Sequence, residues 1–81
     1  MIDHSLEDVL RREPTFQEKL HEERIELSSK IQKLKAFITM DPKFKELDWE
    51  HRDLLKHQLK AMLHYEEILI ERMTLLNLNK Q

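Results

Sequence analysis

The last long helical segment of this chain carries apolar side chains around most of its circumference. At about 100° per residue they spread over roughly 240° of the helix, whereas an ordinary surface helix buries an arc of little more than 100°. The residues in this arc are Leu54, Leu55, Leu59, Ala61, Met62, Leu63, Tyr65, Ile68, Leu69, Ile70, Met73, Leu75 and Leu76. A chain of 81 residues cannot cover such an arc alone. The sequence therefore predicts self-association, with the working surface between subunits.

Composition narrows the fold to one small all-α domain. The chain has no cysteine, which rules out disulfides and thiolate metal sites and is typical of the reducing cytoplasm. It also has no glycine, which excludes glycine-rich phosphate loops and tight β-turns. We expect a single domain over residues 1–81 that gains stability by forming a homo-oligomer.

The apolar spacing and the capping residues predict an antiparallel helical hairpin with a short N-terminal helix attached. Thr15 and Glu18 form a capping-box pattern at the start of one long helix. The Asp41-Pro42 pair breaks the pattern and reverses the chain, and Asp48 can cap the next helix. The three helices are expected at about residues 5–13, 15–39 and 48–79.

The charge balance excludes several classes of partner. A net charge of −2 argues against general binding to nucleic acid, and no helix-turn-helix signal is present, so no DNA partner is expected. Residues 28–45 nevertheless contain five lysines and one acidic residue, so a small anion could be held locally. No apolar run approaches the 18 or so residues of a membrane span, and the first ten residues lack the order of a signal peptide. We expect a soluble, cytoplasmic protein that does not bind membranes.

Catalytic and metal-binding patterns are not found. The five histidines have no cysteine partner and no HExxH spacing. His57 and His64 share a helix face, but two histidines without a third ligand bind zinc poorly. Adjacent carboxylates such as Glu66 and Glu67 point about 100° apart on a helix and cannot form an acid/base pair. The sequence predicts no enzyme, no metal and no cofactor.

Three polar side chains interrupt the apolar arc of the last helix. Gln58, Tyr65 and Arg72 follow one another at intervals of seven residues and so share one face. Burying them costs free energy unless something pairs with them. Two interpretations remain open: a polar layer that fixes the register of packed helices, and a ligand wall in which an amide, a phenol and a guanidinium read a base and a phosphate.

A second series lies on the preceding helix. Phe16, Glu23, Lys30 and Phe37 also follow at intervals of seven, along one edge of that helix's apolar stripe. This line is either the rim of the core, with the lysine extending to solvent, or a nucleotide platform on which bases stack beside a cation. Phe16 lies just after a proline corner and is well placed to reach a neighbouring subunit.

The order of these residues resembles the phage anti-CBASS cyclic-nucleotide sponges, whose helical hairpin is shared with the anti-Thoeris sponges. The resemblance covers residues 16–73, and its most distinctive part is the stretch from Phe37 to Leu47 followed by Gln58-Leu59, Ala61-Met62 and Tyr65. It implies a homohexamer, in the cytoplasm of an infected bacterium, that binds cyclic dinucleotides without cleaving them. Some members of the family that it resembles also bind cyclic trinucleotides, at sites separate from those of the dinucleotides.

The resemblance also suggests site residues. The dinucleotide pocket of the family uses an aromatic residue near the start of the hairpin and a basic residue further along the same helix, contributed across a subunit interface. Phe16 and Lys30 match this pair best, and Lys33 is a rival for the basic role. Gln58, Tyr65 and Arg72 are candidates for a second ligand or a register layer. The alternative function is a helical hairpin that binds and inhibits a host or phage protein through its apolar stripe.

Overall fold

The computed structural model describes residues 15–78, which form two long helices joined by a short helical elbow. Helix α1 is Phe16–Met40, helix α2 is Lys43–Glu46 and helix α3 is Trp49–Leu78. No strand occurs among residues 15–78. The all-α class is confirmed, and the long helices lie within one residue of the expected limits. The short helix expected at residues 5–13 lies outside the described residues.

Helix α1 begins at the capping box and ends before the proline. The Thr15 hydroxyl accepts a hydrogen bond from the Glu18 amide at 3.2 Å, and the Glu18 carboxylate accepts one from the Thr15 amide at 3.4 Å. These bonds satisfy two backbone donors that no helical carbonyl can reach. At the other end, Asp41 has an extended backbone because Pro42 follows it.

Aromatic packing holds the elbow between the long helices. Phe44 of α2 is buried, and its ring meets that of Phe37 edge to face with the centroids 6.0 Å apart. The ammonium group of Lys56 lies 6.0 Å from the centroid of the Phe44 ring. The Asp41 carboxylate accepts a hydrogen bond from the Lys43 amide at 2.9 Å. The elbow therefore ties both long helices to α2.

Asp48 caps the start of α3. Its Oδ1 accepts a hydrogen bond from the His51 amide at 2.9 Å and lies 3.0 Å from His51 Nδ1. The backbone hydrogen bond from His51 lowers the pKa of Asp48 below its ordinary value of 3.8, and the side-chain bond and charge of His51 add to this effect. Loss of hydration at the carboxylate opposes the shift.

We expect Asp48→Ala to lower the melting temperature by several degrees, because the His51 amide loses its acceptor. Asp48→Asn keeps a capping oxygen and should cost less. Since the folded pKa of Asp48 is lowered, the contribution of its charge is complete above the ordinary value and is lost as pH falls through the folded value. Thermal melts from neutral pH down to below the ordinary pKa of 3.8 should show the advantage of the wild type over Asp48→Asn shrinking in acid. A difference in melting temperature between the wild type and Asp48→Asn that stays the same at every pH would contradict this account.

The hairpin core is small and lies between α1 and α3. Buried side chains from α1 meet one from α3, with partly buried side chains of α3 around them. The buried residues are Leu20, Leu27, Ile31 and Leu69, and the partly buried ones are Leu59, Met62, Met73 and Leu76. Because the start of α1 packs beside the end of α3, the two helices are antiparallel.

Much of the apolar surface remains outside this core. Ten large apolar or aromatic side chains are exposed, twice as many as are buried in the described part of the chain. The exposed residues are Phe16, Ile25, Met40, Trp49, Leu54, Leu63, Tyr65, Ile68, Ile70 and Leu75. Helix α1 thus covers only part of the apolar arc of α3.

Candidate functional site

The two series of residues at intervals of seven face each other across the hairpin. At the open end, the guanidinium carbon of Arg72 lies 5.6 Å from the centroid of the Phe16 ring, within the range of a cation–π contact. Seven residues later in α1 and seven earlier in α3, Glu23 meets Tyr65. The contacts therefore repeat at the same interval along one edge of the pair of helices.

The Tyr65 hydroxyl lies near the Glu23 carboxylate and can donate a hydrogen bond to it. This bond is the largest cause of a raised pKa for the Tyr65 phenol, because deprotonation would break it. Loss of hydration and the negative charge of Glu23 also raise the pKa, and the positive charge of Arg72 lowers it. The phenol is thus a hydrogen-bond donor at neutral pH and links the two helices.

We expect the Tyr65 phenol to titrate above its ordinary pKa of 10.0. Tyr65 is the only tyrosine, so the tyrosinate absorbance of the whole protein reports this group alone. Glu23→Gln should move the midpoint back down, because the neutral amide repels the phenolate less than the carboxylate does. The bond supports the fold below the ordinary pKa and is lost as pH rises through the folded value. Equal midpoints in the two proteins would contradict the contact.

A cleft of about 210 Å³ lies at this open end, lined by Phe16, Lys19, Leu20, Glu23 and Arg72. Phe16 is 61% exposed, so most of its ring stays open although Arg72 contacts it. The cleft combines an open aromatic ring with a guanidinium and an ammonium group. A base can stack on the first, and a phosphate can pair with the other two.

The structure places the candidate lysines away from this cleft. Lys30 is exposed on α1, about 21 Å from Phe16 along the helix axis. Lys33 lines another cleft, near the elbow, together with Phe37 and Met40. Within one chain, neither lysine can share a small ligand with Phe16. A joint site requires a second copy.

The remaining candidates take different positions. Gln58 donates a weak hydrogen bond to Met62 Sδ at 3.9 Å and stays exposed. Phe37, which ends the α1 series, packs on Phe44 and is partly buried, so it is less open to a base than Phe16. The structure therefore brings Phe16, Tyr65 and Arg72 into one region, without Lys30, Lys33 or Gln58.

Two features of the site were missed from the sequence. Lys19 was not singled out, although it lies three residues after Phe16 and so on the same side of α1. The pairing of Glu23 with Tyr65 was also missed. Its signal is the equal spacing of the two series, which in an antiparallel hairpin sets successive members opposite each other.

The histidines of α3 each lie beside an acidic residue at the surface. The pairs are His51 with Asp48 at 3.0 Å, His57 with Asp53 at 3.9 Å and His64 with Glu67 at 3.8 Å. Among residues 15–78, no three histidine or acidic side chains converge as metal ligands would. Over the same stretch, no helix has the length and apolar character that crossing a bilayer requires.

Comparison with known proteins places the chain in a family. The Sequestin family model matches residues 14–75, which include both long helices up to the last turn and the whole elbow. The chain belongs to the Sequestin family. No match was found among curated proteins or solved structures.

The family name describes sequestration, which fits the resemblance to the phage cyclic-nucleotide sponges. Membership in the Sequestin family implies a protein that binds and holds a ligand rather than one that transforms it. The open cleft beside Phe16 has an exposed aromatic ring and two cationic side chains in its lining.

Proposed function

We propose that this Sequestin is a phage sponge that sequesters cyclic oligonucleotide messengers without cleaving them. The ligands are cyclic dinucleotides such as cyclic GMP-AMP, with cyclic trinucleotides as a second class. By holding the messenger in the cytoplasm of the infected host, the protein keeps CBASS effectors inactive. The family match over residues 14–75 carries the proposal, and the chemistry of the cleft supports it.

The cleft suits a ligand with a flat base and a phosphate. Phe16 offers a largely open ring, on which a stacked base contributes about 1–3 kcal/mol. The guanidinium group of Arg72 lies over the Phe16 ring, and its planar fork can grip a phosphate through two parallel hydrogen bonds. Glu23 also lines the cleft, and its carboxylate interacts with the Tyr65 hydroxyl.

The proposal needs more than one copy of the chain. Lys30 and Lys33 lie too far from Phe16 to meet one ligand within a protomer, so either of them can join the cleft only from a neighbouring copy. A homo-oligomer, a hexamer in view of the resemblance, provides such pockets. It also covers exposed apolar side chains such as Leu54 and Leu75.

A sponge acts by mass action, so its affinity must exceed that of the host receptor. Nanomolar binding corresponds to about −12 kcal/mol. Two stacked bases and two compensated phosphates can supply this if the pocket is already formed, because little ordering entropy is then lost on binding.

Native mass spectrometry of the purified protein, alone and with a mixture of cyclic di- and trinucleotides, tests the proposal. We expect a closed oligomer with a fixed number of ligands per assembly. Ligand released by denaturation should keep its original mass, since the protein does not cleave it. An oligomer that takes up none of these nucleotides, or that returns a cleaved product, would refute the sponge.

The second candidate function is a helical hairpin that binds and inhibits a host or phage protein. The exposed apolar side chains of α3 favour it, because helix-in-groove contacts need only such a stripe. The same spectra separate the two functions. A monomer that binds none of the nucleotides but captures a protein from infected cells would support this candidate.

A further inference from the structure

Helix α3 carries two seams of the kind that pack helices together, and α1 covers only one. Here a seam is a set of positions whose spacing alternates between three and four residues. The inner seam contains the buried Leu69 and the partly buried side chains around it: Leu55, Leu59, Met62, Glu66, Leu69, Met73 and Leu76. This seam faces α1.

The outer seam is displaced by one residue, and it is exposed. It consists of Leu54, Gln58, Ala61, Tyr65, Ile68, Arg72 and Leu75, which also alternate between intervals of four and three without interruption. Leu54 and Leu75 at its ends are 64% and 60% exposed, and Ile68 is 40% exposed. The seam runs for three heptads, or about 32 Å, which is the length at which such a pattern indicates a coiled coil.

The two kinds of position in the outer seam differ in chemistry. The first position and every second one after it are apolar. The positions between them are Gln58, Tyr65 and Arg72, whose side chains end in a polar group. A parallel partner with the same sequence would set like against like, so two Arg72 guanidinium groups would face each other inside the seam. An antiparallel partner sets each polar-tipped residue against an apolar one. In one such register, the large Tyr65 ring faces the small Ala61 of the other copy.

The residues flanking the outer seam also match an antiparallel copy. On its open side lie His57, His64 and Glu71, all exposed and at intervals of seven. In that same register, His57 of each copy faces Glu71 of the other, and the two His64 residues meet at the centre. An imidazole can donate a hydrogen bond to a carboxylate, and it attracts the carboxylate more strongly when protonated.

We propose that the outer seam of α3 pairs antiparallel with the outer seam of a second copy. The proposal deepens the self-association on which the proposed function rests, by naming the surface and the orientation. It has a consequence for the ligand site, because Tyr65 and Arg72 belong to both the seam and the cross-hairpin contacts. In this register Arg72 of each copy lies opposite Leu54 of the other, so the two clefts of a dimer lie at opposite ends of the paired helices, each beside the α3 helix of the other copy.

The first test compares Ile68→Glu with Leu63→Glu in the ligand-free protein. Leu63 is a matched control, since it is 42% exposed on the same helix but lies on the opposite flank. Sedimentation velocity should show that Ile68→Glu reduces the mass of the assembly by at least half, whereas Leu63→Glu leaves it unchanged. An Ile68→Glu protein of normal mass, or equal dissociation by both variants, would overturn the proposal.

The second test reads the orientation without disturbing the fold. The chain has no native cysteine, so Leu54→Cys and Leu75→Cys each introduce a single thiol. In an antiparallel pair, a short thiol–thiol cross-linker should join Leu54→Cys to Leu75→Cys in a mixed sample and join neither variant to itself. Self-linking of Leu54→Cys would mean a parallel pair and would overturn the proposal. No cross-linking in any combination would show that the outer seams do not meet.

These tests are independent of nucleotide binding. A protein that cross-links as expected but binds no cyclic nucleotide would refute the sponge and leave the seam intact. A protein that binds nucleotide but fails both seam tests would refute the seam alone.

Discussion

Phe16→Ala is expected to weaken binding of cyclic dinucleotides by roughly 5- to 150-fold while leaving the oligomer intact. The range follows from the loss of one stacked base per site, about 1–3 kcal/mol, and each 1.4 kcal/mol changes the affinity about tenfold. Phe16 is exposed and contributes little to the core, so the substitution should not unfold the hairpin. Isothermal titration calorimetry gives the affinity, and native mass spectra give the assembly.

The chain offers a matched control for this prediction. Ile25 is on the same helix and is 56% exposed, a fraction similar to the 61% of Phe16. Its side chain, however, points away from α3. Ile25→Ala should bind as the wild type does. Normal binding by Phe16→Ala would show that the base does not stack on this ring, and an equal loss in both variants would indicate a general effect on α1.

The same titrations resolve the choice between the two candidate lysines. Lys30→Ala and Lys33→Ala each remove one charge from exposed positions on α1. Only the lysine that reaches the cleft of a neighbouring copy should lower the affinity and reduce its dependence on salt. Unchanged binding in both variants would exclude this pair from the site.

Leu69→Ala is expected to destabilise the protein by about 2–5 kcal/mol, a large part of the total stability of so small a domain. Leu69 is 0% exposed, and it is the one fully buried large side chain in the described part of the chain. It belongs to the same core cluster as Leu20, Leu27 and Ile31 of α1, so its loss leaves a cavity between the helices. Urea unfolding followed by helical circular dichroism measures the effect.

Leu63→Ala is the control for this substitution. It removes the same atoms from an exposed position of α3 and should cost much less. Both variants must be compared at one protein concentration, because self-association stabilises the folded state by mass action. Similar losses in the two variants would mean that the core described here does not dominate the stability.

The limits of the long helices could be predicted because local chemistry sets them. The capping box at Thr15 and Glu18, the proline at residue 42 and the cap at Asp48 all act within a few residues of themselves. Side-chain spacing likewise showed that α3 has more apolar surface than a single partner covers. The short helix at residues 5–13 is not among the described residues and stays a prediction.

The pairing of side chains across the hairpin was harder to predict. Spacing placed Glu23 in one series and Tyr65 in another, but which member faces which depends on how the elbow sets the register of α1 against α3. The elbow in turn is held by tertiary contacts, the packing of Phe44 on Phe37 of α1 and the position of Lys56 of α3 beside the Phe44 ring. Likewise, the apolar arc does not by itself tell which part of it faces α1. The roles of Phe16, Lys30, Lys33, Gln58, Tyr65 and Arg72 in ligand binding stay predictions.

The packed elbow has a consequence for the order in which the hairpin assembles. Contacts beside the elbow join residues close in sequence and cost little loop entropy, whereas the contact of Phe16 with Arg72 closes a much longer loop. The two long helices should therefore pair first beside the elbow and last at Phe16, and they should separate most readily at Phe16. Among the hydrogen-bonded amides of the hairpin, those in the first turns of α1 should exchange fastest. Their exchange should slow when ligand is added. Bound messenger would then stabilise the end of the hairpin that forms last.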